Sequence, residues 1–253
     1  MATEPKVELI TTIPGLNEVE DALPKPASKF IPDWWKNTPT VPTTFDMNNV
    51  YFGNVKICPS FPDYFSKGFI VPMWVDSFLY YTENENGTPE WKWKTSSAQF
   101  SWDTHSNEQY LNDVPHKLFG KESHFIFKSR LPWYVFTPPG YSLYQLPPFF
   151  HFNEDFSAIP GVRDTDLYHE MNIQIVIHSK NKEIFIPRGT PLAHYIPFKR
   201  ENVGLDVRYA TGEDTNLIAG HDLRLATQFS PLTGIRKIKK TLKTNFNSLT
   251  SPK

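Results

Sequence analysis

The sequence predicts a mainly β chain with a barrel-like core, and three observations point to it. In 253 residues, 23 prolines outnumber 12 glycines, and proline is excluded from helix interiors and central strands. The β-branched and aromatic residues, including 20 Phe and 11 Tyr, gather in short runs bounded by turn residues. These runs recur at short intervals, without the helical periods that βαβ units require.

Residues 1–45 read as an extended N-terminal arm rich in proline and aromatics. In "LPKPASKFIPDWWKNTPTVPTT" the prolines prevent a long helix, while Phe30, Trp34 and Trp35 are too apolar for a free linker. One short helical turn is expected there, with the aromatics laid on the body or on a partner, for which tryptophan is a favoured anchor.

Residues 46–200 read as the β-rich core. "NVKICPS" and "GFIVPMWVDSFLYYT" are strand-like, and "ENENGTPEWKWKT" carries Asn86-Gly87, the dipeptide of a type I′ hairpin turn. Trp91 and Trp93 alternate with Lys92 and Lys94, so one face packs and the other meets water. Such an alternation also suits stacking of single-stranded bases, but nearby acids and a net charge of −1 disfavour nucleic acid. Within 120–200, "SHFIFKS", "PWYVFTPPGYSLYQLPP", "MNIQIVIHS" and "KEIFIPRGTPLAHYIPFKR" repeat strand, turn, strand. In "MNIQIVIHS", Ile173, Ile175 and Ile177 share one face, and Asn172, Gln174, Val176 and His178 share the other.

Residues 201–253 read as a partly helical, basic C-terminal extension. "DTNLIAGHDLRLATQF" suits a helix. The run Arg236, Lys237, Lys239, Lys240 and Lys243 suits a solvated tail or a contact with an acidic partner.

Charge and composition narrow the function classes. A net charge of −1 provides no field to hold the chain on nucleic acid or an anionic membrane. No stretch reaches the roughly 20 apolar residues of a spanning helix, and no basic-then-apolar signal pattern opens the chain. The expectation is a protein neither secreted nor membrane-bound, in which Asn86-Gly87-Thr88 is a turn. The single cysteine, Cys58, excludes an intrachain disulfide and a cysteine-based zinc site. His105, His116, His124 and His151 are irregularly spaced, even with Asp103 or Glu108 nearby, so no metal site is expected. No nucleophile elbow, P-loop or dinucleotide fingerprint is present.

"PGVRDTDLYHEMNIQIVIHSKNKEIFIPRGTPLAHYIPFKR", residues 160–200, resembles the central segment of the dUTPase and dCTP-deaminase families, whose fold is the β-clip. Gly161, Val162, Asp164 and Asp166 match that family's G-V-I-D-x-D-Y-like turn. Ser179 and Asn181 match its middle turn, and Gly189, Leu192 and Ala193 match its I-x-x-G-D-R-I-A-Q segment. Pro139 and Gly140 match its preceding P-x-G turn. The resemblance implies a β-clip core and a trimer. It also implies a site in which Asp164 activates water and Tyr168 packs beneath a deoxyribose. Asp166 and His194, the latter in place of the family's glutamine, would join the ligand contacts. Departures are visible too: Leu167 stands between Asp166 and Tyr168, and Pro191 replaces an arginine. The P-R-S-G and glycine-rich C-terminal motifs are absent. The same acids also suit a plain turn, through Asx hydrogen bonds to backbone N–H groups.

"LPKPASKFIPDWWK", "VKICPSFPDYFSKGFIVPMWVD", "FTPPGYS", "PGVRDTD" and "GTPLAHYIPFKR" resemble a family from tailed phages of marine bacteria to which no chemistry is assigned. That resemblance implies a phage protein in the host cytoplasm or the virion, with a phage or host protein as partner. Two functions follow. One is a non-enzymatic binding or assembly protein, cofactor-free and homo-oligomeric, working through strand edges or its arm. The other is a deoxynucleotide hydrolase or deaminase using Asp164, with Mg2+ held mainly through the nucleotide's phosphates.

Overall fold

The structure, a computed structural model, describes residues 5–39, 55–58, 60–83, 85–87, 89–104, 125–178 and 183–218. Thr88, His105, His116, His124, Ser179, Asn181 and the basic run from Arg236 lie outside the described residues. The chain divides into two compact units, residues 1–32 with 66–201, and residues 33–65 with 202–253.

The first unit is mainly β. Its strands are β1 (Glu8–Thr11), β2 (Lys25–Pro26), β3 (Phe69–Pro72), β4 (Ser77–Glu83), β5 (Pro89–Thr95), β6 (Trp102–Thr104) and β7 (Phe125–Phe136). There follow β8 (Tyr141–Leu146), β9 (Phe156–Ala158), β10 (Gly161–Arg163), β11 (Glu170–Ile177), β12 (Glu183–Ile186) and β13 (Pro191–Lys199). They pair antiparallel in three sheets: β1-β7-β11-β9 with β6 also on β7, β10-β8-β13-β3-β2, and β12-β4-β5. The mainly β expectation holds, but the sheets are open, and among the described residues none closes into a barrel. The stretch read as an arm supplies β1, on β7, and β2, on β3.

Proline placement explains the course of β7. β11 occupies one edge of this strand, while β6 (at Phe127–Ser129) and β1 (at Trp133–Phe136) share the other. Pro132, which lacks an N–H, falls between β6 and β1 and beside the register shift that separates Glu170 from Asn172 in β11. The one residue unable to donate therefore sits where the ladder is interrupted on both sides.

The core follows the alternation. Ile173, Ile175 and Ile177 are fully buried on one face of β11. Trp91 and Trp93 pack edge-on against Phe127, with centroids 6.3 and 6.2 Å away, and Trp102 joins them at 5.8 Å. The Trp102 indole N–H donates to Ser77 Oγ at 2.8 Å, which satisfies a buried donor and links the first and third sheets. The tryptophans of β5 are thus packing residues, and Lys92 and Lys94 form the wet face.

The β4–β5 hairpin forms, but not through the type I′ turn that Asn86-Gly87 suggests. Glu83 pairs with Pro89, so the connection holds five residues, 84–88. Among the described residues of this connection, 85–87, Gly87 takes positive φ (73°) and Asn86 does not. The longer connection removes the need for two left-handed residues.

In the second unit, Trp35 of α1 (Asp33–Asn37) stacks on Phe61 of α2 (Ser60–Phe65) at 5.1 Å, and Lys56 Nζ lies 5.6 Å from the Trp35 ring. Residues 212–218 are helical. Thr211 caps them, its hydroxyl accepting Asp214 N–H while the Asp214 carboxylate accepts Thr211 N–H.

Candidate functional site

The site grows from two turns. Pro138-Pro139-Gly140-Tyr141, between β7 and β8, closes with Tyr141 N–H donating to Pro138 O at 3.1 Å. Pro139 occupies the second position and Gly140 the third, with φ 81°, the residue order of a type II turn. The second turn follows β10, where Asp164 O accepts Leu167 N–H at 3.1 Å and Tyr168 N–H at 2.9 Å.

Side chains lock these turns together. Fully buried Thr165 lies 2.8 Å from Thr137, hydroxyl to hydroxyl, and Thr137 Oγ1 donates to Tyr141 O at 3.1 Å. The Thr137 proton is then committed, so Thr165 is the donor between them. Asp166 Oδ2 accepts the Gly140 N–H at 2.8 Å. Ser142 Oγ donates to Asp164 Oδ1 at 2.6 Å. His169 Nδ1 faces only carbonyl oxygens, of Thr165 at 3.0 Å and Val135 at 3.2 Å, and so donates, while its ring stacks on Phe136 at 4.1 Å.

Arg200, just beyond β13, closes the cluster. Its Nη1 donates to Asp166 Oδ1 at 2.8 Å and to Ser142 Oγ at 2.9 Å, and lies 3.2 Å from Asp164 Oδ1. Its Nη2 donates to Asp166 Oδ2, completing a bidentate pair. Its own N–H donates to Gly140 O at 2.8 Å.

The electrostatics set what each acid can do. The Arg200 guanidinium, and then the Gly140 N–H, bring the Asp166 carboxyl down to about 2 from its usual 3.8. A general base works best with a pKa near the operating pH, so Asp166 is a clamp rather than a base. The Asp164 side chain is more open, with 52% of its surface exposed.

The remaining candidates are placed differently. Tyr168 is 77% exposed, and the intervening Leu167 is similarly open. His194 is buried in β13, and its Nε2 lies 2.6 Å from the Lys67 carbonyl and donates to it. Burial pushes its pKa down, against the opposing pull of that carbonyl. It precedes Arg200 by six residues, roughly 20 Å of extended chain. His151 lines an apolar cavity of about 190 Å³ with Pro148, Phe149, Phe152, Phe156 and Pro191. That volume falls below the roughly 300 Å³ at which small-molecule clefts begin. Among the described residues, no three His, Cys, Asp or Glu side chains gather as a metal site would need. No helix among them is long and apolar enough to cross a membrane.

Sequence reasoning reached Asp164, Asp166, Pro139 and Gly140 but missed Arg200, Ser142 and the Thr137–Thr165 pair. Asp166 and Arg200 are 34 residues apart, and only the pairing of β13 with β8 and of β8 with β10 brings them together. The chain matches no protein-family model, and a comparison with curated proteins finds none significantly similar to it.

Proposed function

We propose that this chain is a phage-encoded, non-enzymatic binding or assembly protein that acts as a homo-oligomer in the host cytoplasm or the virion. The observation that carries this reading is the commitment of the Asp164–Asp166 loop to a clamp. Asp166 gives both oxygens to Arg200 and Gly140, and Asp164 accepts from Ser142. A loop used in this way holds turns in place and needs no substrate. The test is light scattering of the purified chain together with a deoxynucleoside triphosphate hydrolysis assay. A defined oligomer without turnover supports the reading; a monomer, or turnover, contradicts it. Mass spectrometry of purified particles distinguishes virion from cytoplasm.

The half-exposed Asp164 carboxylate beside Arg200, with exposed Tyr168 four residues on, favours one second reading. In it, the loop processes a deoxynucleotide, with Asp164 as base and Mg2+ carried by the phosphates. It predicts that deoxynucleoside triphosphates raise the melting temperature and that Asp164→Asn abolishes turnover in a folded protein. No shift with any nucleotide contradicts it.

A further inference from the structure

Residues 202–210 carry the pattern of a strand but belong to no sheet. Val203, Leu205, Val207 and Tyr209 alternate with Asn202, Gly204, Asp206 and Arg208, and the four apolar residues are 88%, 91%, 83% and 95% exposed. No backbone group of residues 202–210 bonds to another backbone group among the described residues. Strict alternation is the pattern of a strand with one covered face. An unpaired row of backbone groups is how an extended segment adds to a sheet edge.

β5 offers a matching edge. It ends the third sheet, and among the described residues no strand pairs with its outer side. It alternates in the same way, with Trp91 and Trp93 on the packed face and Glu90, Lys92 and Lys94 on the wet one. Val203–Tyr209 matches Pro89–Thr95 residue for residue in length.

We propose that this segment of one copy adds antiparallel to β5 of a second copy, with Leu205 opposite Trp93. The inference rests on the assembly reading above and names its contact. In this register Asp206 faces Lys92, Arg208 faces Glu90, and Gly204 leaves room beside Lys94. Sliding by two residues sets Asp206 against Glu90 in one direction and Arg208 against Lys92 in the other. Sliding by one turns the apolar row to water. Only this register satisfies both charges and the apolar face together. Lys92 now pairs with Glu90 at 3.4 Å in an exposed contact that exchanges at little cost, whereas Arg208 has to leave its bidentate pair with the partly exposed Asp214. Lys92 and Lys94 also guard the edge against indiscriminate pairing, a guard that an aspartate at the matching position meets.

The test is light scattering over a concentration series on the full chain and on Asp206→Lys, Lys92→Asp and the double variant. Each single reversal should weaken association about tenfold, and the double should restore it. An oligomer indifferent to all three overturns this contact while leaving the assembly reading standing. A wild-type monomer overturns both. A monomer whose β5 amides resist hydrogen exchange also overturns the proposal, since the edge is then covered without a second copy.

Discussion

The Asp166 carboxylate accepts the Gly140 N–H at 2.8 Å across 26 residues of sequence, joining the turn after β10 to the turn before β8. Arg200 closes the same junction from the end of β13. Three segments remote in sequence therefore meet at one carboxylate, and its removal should be felt in stability.

The pH dependence follows from the depressed pKa of Asp166. Its folded value of about 2 lies below the usual 3.8, so its contribution is fully present above 3.8 and is lost as pH falls through about 2. Denaturant titrations between about pH 5 and about pH 2 should show wild-type stability falling. Asp166→Asn should start lower and fall less steeply.

Gly68 cannot be replaced. It has φ 65°, and a Cβ there would meet the Tyr195 carbonyl oxygen at 1.9 Å, a backbone atom that cannot swing away. Gly68→Ala should destabilise the fold by about 3 kcal/mol through backbone strain and displacement of β13. Gly140→Ala, with the same handedness but open space around it, should cost less. Urea unfolding midpoints rank the two.

The buried hydroxyl of Tyr195 donates to Gln145 Oε1 at 2.8 Å, and Gln145 Nε2 donates to Ile159 O at 2.8 Å. Burial pushes the phenol pKa up, so it remains a donor throughout the neutral range. Tyr195→Phe strands the Gln145 oxygen and should cost about 1–3 kcal/mol. Chemical denaturation measures that loss directly.

What the sequence disclosed was local. The Ile173, Ile175, Ile177 alternation and the Trp91/Lys92 alternation each identify a strand and its buried face, because side-chain period is set by the backbone alone. Pro139-Gly140 likewise announces its turn. The misreadings came from partners outside the window. Asn86-Gly87 suggests a two-residue turn, but pairing of Glu83 with Pro89 fixes a longer one. Glu8–Thr11 is too short to announce a strand, and only β7 makes it one. The acids of the loop were visible, whereas their meaning depends on Arg200, 34 residues beyond Asp166, and no spacing rule connects those two positions.

The most direct test of the clamp is a double-mutant cycle of melting temperatures on Asp166→Asn, Arg200→Met and their combination. Each single change should lower the melting temperature by a few degrees, and the pair should lose less than the sum of the two, because both remove the Asp166–Arg200 pair. Melting temperatures that stay at the wild-type value, or losses that simply add, would contradict a shared structural role for Asp166 and Arg200.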